Sequence, residues 1–214
     1  MTPPDPTGFL ELLDRRSGHF QLESGHHGEL WLELDSLLLR PARLSPFIAT
    51  LARRLAEAVD PDGICGPLLG GALIASAVAS ALDCELFVAE PVASEGSPGE
   101  LFRARYAVPQ PTRARLAGRR LAVVDDVVNA GSATRATVAD LRAGGATVVA
   151  IGALLVLGDR ASDYAEQEGL PLICVESLPN RIWEPEACPL CASGEALEDP
   201  QRGDGGSDLH PQSL

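Results

Sequence analysis

The stretch LAVVDDVVNAGSATR, Leu121 to Arg135, limits the possible folds more than any other part of the chain. Leu121 to Val124 are apolar and mostly β-branched or small, the pattern of a strand covered on both faces. Asp125 and Asp126 fall where that strand is expected to end. Asn129, Ala130, Gly131, Ser132 and Ala133 are small enough for backbone N–H groups to close around an anion. A helix starting near Ser132 adds its positive amino end. An ordinary strand–loop–helix unit needs one acid as a cap. Two acids ahead of a Gly-Ser loop ask for a ligand with hydroxyls or a metal on one side and phosphate on the other.

The flanking sequence supplies a frame for this unit. Thr7 to Arg16 is expected to be a short amphipathic helix, with Phe9, Leu10, Leu12 and Leu13 on its apolar side. The alternation of Phe20 and Leu22, then Leu30, Leu32 and Leu34, predicts two antiparallel strands joined by a turn over Ser24 to Gly28. Paired histidines in such a turn, His26 and His27, are expected to be solvated, with ligand contact as the alternative. Leu37 to Arg43 reads as a linker and Pro46 to Val59 as a helix.

Gly63-Ile64-Cys65 is then a short buried strand, running into the glycine turn Gly66 to Gly71 and a helix to Leu82. This is a second place where N–H groups can face an anion. Further strands are expected at Glu85 to Glu90, Thr147 to Leu157 and Leu170 to Val175, with a strand or hairpin near Leu101 to Val108. Helices follow the acid pair and span Ala161 to Glu168. Beyond Leu178 the chain is expected to be irregular. Strands alternating with helices predict an α/β fold with a mostly parallel sheet, whose ligands bind at the carboxyl ends of the strands.

Charge narrows the function. The net charge is -13, and all 17 basic residues are Arg, with no Lys anywhere. That balance argues against non-specific nucleic-acid binding and removes Lys as a catalytic group. Gly63 to Leu82 carries no charge and passes a length test for a membrane span. Its glycines, its Ala and Ser content and its flanking Asp62 and Asp83 favour a buried strand, loop and helix instead. The start MTPPDPTGF has neither the basic residues nor the apolar run of a secretory signal, so a cytoplasmic location is expected.

Of five cysteines, Cys65, Cys84 and Cys174 lie in apolar surroundings and read as reduced core residues. Cys188 and Cys191 form one CPLC pair. One such pair is half of a tetrahedral zinc site, and no second pair lies near it in sequence, so a structural turn is expected ahead of metal or redox chemistry. Residues 1–197 are expected to form one domain, with a hood at about 7–40. Residues 198–214, rich in Gly, Asp, Ser, Gln and Pro, read as a disordered tail.

The order of strand, acid pair, small hydroxyl-bearing loop and helix closely resembles the phosphoribosyl-diphosphate signature of type I phosphoribosyltransferases. The Phe20 strand and Ser24-Gly25 turn resemble the hood of orotate phosphoribosyltransferases, as does the Asp159-Arg160 pair after the long strand, offset here by Gly158. The resemblance implies the type I phosphoribosyltransferase fold, a homodimer, Mg²⁺, and transfer from 5-phosphoribosyl diphosphate to a nucleobase, orotate foremost. It implies that Asp125 and Asp126 serve the ribose and its charge, that Asn129, Ala130, Gly131, Ser132 and Ala133 hold the 5′-phosphate, and that Leu68, Leu69, Gly70 and Gly71 hold pyrophosphate. It implies that Phe20 covers the base, that Arg160 meets a base carboxylate, and that Arg103 or Arg105 neutralises the leaving group. Mg²⁺ would be held mainly by pyrophosphate and ribose, with Asp125 and Asp126 nearby. Departures are Glu23, where some members have Lys, and the lysine-free loop from Val92 to Arg120. They leave open a related transferase acting on a purine or another pyrimidine, and a non-catalytic regulator that binds the donor or a nucleotide.

Overall fold

The structure is a computed structural model, and it describes residues 7–22, 24–33, 35–92 and 105–200. Arg103, Glu23 and most of the loop after Val92 lie outside the described residues, as does the expected tail from residue 201 onward.

In chain order the elements are β1 (Asp14–Gln21), β2 (His27–Glu33), α1 (Asp35–Leu38), α2 (Ser45–Ala58), β3 (Gly63–Pro67), α3 (Gly70–Leu82), β4 (Glu85–Pro91), β5 (Tyr106–Ala107), α4 (Gln110–Arg113), β6 (Arg120–Val128), α5 (Ser132–Ala143), β7 (Thr147–Leu157), α6 (Arg160–Gln167), β8 (Leu172–Leu178), β9 (Ile182–Trp183) and α7 (Pro189–Ala192). The main sheet has the order β5-β4-β3-β6-β7-β8. All its pairings are parallel except β4 with β5. A second, antiparallel sheet, β1-β2-β9, forms the hood.

Alternation along β6 explains why helices cover both faces. Ala122 and Val124 point into a core with α2, α3 and the hood, whereas Leu121 and Val123 point into a second core with Val138, Leu141 and Ala165. On α2, Phe47, Leu51 and Leu55 recur every four residues and are all buried. Fully burying one such Leu contributes about 1.5–3 kcal/mol. The small residues of α3 allow a close approach to β3: a side chain on Gly66 would strike Ala75 and the Gly71 carbonyl. Among the described residues no helix is long and apolar enough to cross a membrane, and the uncharged run from Gly63 to Leu82 is divided between β3 and α3.

Four expectations change. Thr7 to Arg16 is not a helix: Phe9–Leu12 is one 3₁₀ turn and β1 begins at Asp14. Phe9 packs edge-on to Phe47 with ring centroids 5.1 Å apart, and Arg15 and Arg16 pair with Leu32 and Trp31. Tertiary packing and the hairpin ladder thus override the local helical pattern. The linker from Leu37 to Arg43 contains the end of α1 and a 3₁₀ turn at Pro41–Arg43. β8 runs on to Leu178 because Leu155, Val156 and Leu157 of β7 continue to pair with it. The segment beyond Leu178 is ordered: Ile182 and Trp183 add a strand to the hood, and Glu198 bonds to Gln21 and His19 through its backbone.

Candidate active site

β3 pairs with β6 only as far as Val123, while β7 follows β6 to Val128. The strand therefore does not end at the acid pair, as expected, but loses one neighbour there. β3 turns away at Pro67 into the loop before α3, and a gap opens between β3 and β6. This is also where the winding of the sheet reverses, since β4 lies on one side of β3 and β7 on the other side of β6. Parallel sheets bind ligands at such a switch point.

A cavity of about 540 Å³ fills the gap. Asp125, Asp126, Asn129, Ala130, Gly131, Ser132 and Ala133 line one wall, and Leu68, Leu69, Gly70 and Gly71 line another. Leu22, Ser24, Leu30, Trp31 and Leu32 of the hood close a third side. A larger, open depression of about 590 Å³ lies at the amino ends of the strands, beside Glu57, Asp60 and Arg120. It lies far from both glycine loops.

The Asp125 carboxylate accepts from Thr134 Oγ1 at 3.2 Å and from its neighbour's N–H at 3.1 Å. Burial, and then the adjacent Asp126 charge, push its pKa well above the usual carboxylate range. Asp126 accepts from the Val127 N–H at 2.9 Å. The two glycine loops meet at this pair. A side chain on Gly70 would collide with the Asp126 carboxylate, and one on Gly71 with that of Asp125. The Leu68–Leu69 peptide is cis. Gly131 caps α5 with φ +75°, a conformation that favours glycine, and the helix points its amino end at the cavity. Ser132 Oγ is buried among the described residues without a hydrogen-bond partner. An unanswered hydroxyl at a helix start beside open space fits a phosphate oxygen.

The remaining expected residues lie elsewhere. Phe20 is 1% exposed and packs behind the wall, tilted against Trp31 with 6.2 Å between centroids; it does not line the cavity. Arg105 is exposed and pairs through its backbone with Val92, while its neighbour Tyr106 lines the cavity. Arg160 does not reach the cavity either. Its guanidinium donates to His26 Nε2 at 2.9 Å and lies 3.8 Å from Glu184. His26 is fully buried, not solvated, and its Nδ1 meets Ser24 Oγ at 3.0 Å. Burial first, then the Arg160 charge, lowers the His26 pKa against the opposing pull of Glu184. Arg160 thus touches the cavity wall through His26 and Ser24.

Sequence reasoning missed Trp31, Tyr106 and Thr134, and had Ser24 only as part of the hood turn. Trp31 was visible as an aromatic on the predicted hood strand. Thr134 lies nine residues from Asp125 and gave no separate signal.

A profile described as the phosphoribosyl transferase domain matches residues 42–190. The chain belongs to the type I phosphoribosyltransferase family. It is 31% identical over 182 residues to the orotate phosphoribosyltransferase of Heliobacterium modesticaldum, covering 83% of this chain and 85% of that one. It is likewise 31% identical to the Thermus thermophilus orotate phosphoribosyltransferase, covering 85% and 91%. The phosphoribosyltransferase fold recurs in the crystal structure of the Aeropyrum pernix orotate phosphoribosyltransferase, with TM-score 0.58, 23% identity, and coverage of 78% of this chain and 89% of that one. It recurs equally in an adenine phosphoribosyltransferase from Thermoanaerobacter pseudethanolicus, with TM-score 0.58, 18% identity, and coverage of 79% and 97%.

Proposed function

We propose that the chain moves the 5-phosphoribosyl group of 5-phosphoribosyl 1-diphosphate to orotate, giving orotidine 5′-monophosphate and pyrophosphate. The observation that carries this reading is the placement of Asp125 and Asp126 between two small-residue loops in one cavity. One sugar with a phosphate at each end needs that order of groups.

In the reaction the sugar C1–O bond breaks, its electron pair leaves with pyrophosphate, and a C1–N bond forms to a ring nitrogen of the base, whose N–H proton is released to water or to the departing pyrophosphate. Positive charge grows on the ring and negative charge on the leaving group. Asp125 and Asp126 stabilise the first and hold ribose hydroxyls. The N–H groups of Ala130 to Ala133 and the Ser132 hydroxyl hold the 5′-phosphate. Leu68 to Gly71 hold pyrophosphate by backbone. Arg103 or Arg105, which precede the cavity-lining Tyr106 in sequence, is the cation proposed to neutralise the leaving group, although Arg105 itself stands off the cavity wall; Arg would do this by bidentate bonds, without giving up a proton.

Two adjacent carboxylates, the pKa of one pushed up by burial and then by the charge of the other, suit a hard cation. Mg²⁺ bound with the donor would supply charge neutralisation of the pyrophosphate. Asp125 and Asp126 are the residues of this chain that would hold it, through its water.

Orotate is favoured by the likeness, at 31% identity, to orotate phosphoribosyltransferases. The equal structural likeness to an adenine enzyme supports a second reading, transfer to another base. A cytoplasmic homodimer is the proposed setting. The exposed Leu68, Leu69 and Leu73 at the start of α3 support the dimer, and sedimentation at micromolar protein tests it. The decisive assay is pyrophosphate release from the donor in Mg²⁺ with orotate, uracil or adenine. Release with orotate alone supports the proposal. Release with another base transfers the assignment to that base, and donor binding without release makes the chain a sensor.

A further inference from the structure

The CPLC pair has the partners that the sequence did not reveal. The hood brings His19 from β1 and His27 from β2 against Cys188 and Cys191, and the four ligand atoms all lie within 4.8 Å of one another. His19 Nε2 is 3.1 Å from His27 Nδ1. Cys188 Sγ is 3.4 Å and Cys191 Sγ 3.7 Å from His19 Nε2, and Cys191 Sγ is 3.2 Å from His27 Nδ1.

These spacings match a metal polyhedron. With Zn–N near 2.0–2.1 Å and Zn–S near 2.3 Å, tetrahedral ligand atoms stand about 3.3 Å apart for two nitrogens and about 3.6 Å for nitrogen and sulfur. The donor set, two thiolates and two imidazoles, favours zinc over hard cations. His19, His27 and Cys188 are buried, so water cannot satisfy them, while Cys191 is exposed. The other nitrogen of His19 is already committed: Nδ1 lies 2.9 Å from the Glu195 carbonyl. That bond takes the ring proton and leaves Nε2 with a lone pair, as in metal-bound histidines oriented by a carbonyl. All five cysteines are free thiols.

We propose that His19 Nε2, His27 Nδ1, Cys188 Sγ and Cys191 Sγ bind one Zn²⁺ in a closed, four-coordinate structural site. With four protein ligands there is no open position for substrate, so the ion does not take part in transfer. Its role is to fasten the hood to the carboxyl-terminal segment. The same β-strands that carry His19 and His27 lead into Leu22, Ser24 and Trp31 of the cavity wall. The carboxyl-terminal segment is also held by two ladder pairs of β9 on β2, by backbone bonds of Glu198, by Glu184 beside His26 and Arg160, by the Glu195 carbonyl on His19 and by the Arg16–Glu198 and Arg181–Glu29 ion pairs. A small three-stranded hood with so little of its own core needs such a fastener.

The test is metal analysis of the full chain, purified under reducing conditions without a chelator or an affinity tag that binds metal. One zinc per chain is expected in the wild type and in a Cys84→Ser control, with at least a tenfold loss in Cys191→Ser. Because Cys191 is exposed, that variant can fold; cobalt exchange into the wild type gives a second readout that needs no variant. Intense visible bands of tetrahedral Co²⁺ with a thiolate charge-transfer band are expected. A strong chelator is expected to lower Tm by roughly 5 °C or more, recovered by added zinc. The proposal is overturned by wild-type protein with less than about a tenth of an equivalent of zinc and no cobalt spectrum. A Cys188–Cys191 disulfide that persists in the protein as purified under reductant, or full zinc retention in Cys191→Ser, overturns it equally.

Discussion

The two walls of the cavity differ in how their residues come together. The donor wall is built from two short, continuous segments, Leu68 to Gly71 and Asp125 to Ala133, each a strand end, a loop and a helix start. The hood wall is lined by one hairpin near the amino end, which is backed by two distant parts, the strand at Ile182–Trp183 and the segment carrying Cys188 and Cys191. Local chemistry specifies the first wall, and long-range pairing specifies the second. Substitutions in the two walls are therefore expected to separate, with donor-wall changes striking turnover and hood changes striking the base and stability.

The largest effect belongs to the acid pair. Asp125→Asn or Asp126→Asn is expected to lower kcat/KM about a hundredfold, equivalent to about 3 kcal/mol of transition-state stabilisation, with Tm little changed. Steady-state pyrophosphate release with a parallel melting curve checks this. Wild-type turnover in either variant would break the donor-wall assignment. Next comes Gly71→Ala. Its new methyl would meet Asp125 and the Pro67 ring, and overpacking of this kind costs about 1–3 kcal/mol. The expected outcome is a donor KM raised roughly tenfold or more, read by donor titration at saturating base.

On the other wall, Cys191→Ser is expected to raise the base KM roughly tenfold, in line with losses on disturbing metal sites, while donor Kd holds. An equal rise in donor Kd would mean that the walls are not separable. The smallest effect is that of Arg160→Ala. It removes the bond to His26, and so loosens Ser24, at a cost of about 1 kcal/mol, or roughly fivefold in base KM. A much larger loss would place the guanidinium directly on the base.

The same contrast governs what could be read before the structure. The order of β3, α3, β6, α5 and β7 was legible because buried strands and small-residue loops leave continuous apolar and glycine signals. The meeting of Gly70 and Gly71 with the two carboxylates was not, since it depends on how two crossovers close. In the hood, Phe20 was visible as an aromatic on a strand, but its facing depends on the register with Gly28 and on the irregularity between Ser17 and Phe20. Trp31 takes the cavity side instead. The histidines looked solvated because a turn is usually exposed. They are buried because the chain returns after Leu178 to cover them, and nothing near His26 in sequence announces that return. The metal site failed the spacing test for the same reason: its halves are more than 150 residues apart, with Cys191 and His27 separated by 164.

The central claim, that Asp125 and Asp126 stand between two phosphate cradles of one ligand, is tested most directly by calorimetry. Titrating 5-phosphoribosyl diphosphate with Mg²⁺ into the wild type should give one site per chain, weakened at least tenfold in the double variant Asp125→Asn/Asp126→Asn. No binding to the wild type, or equal binding to both proteins, would contradict it.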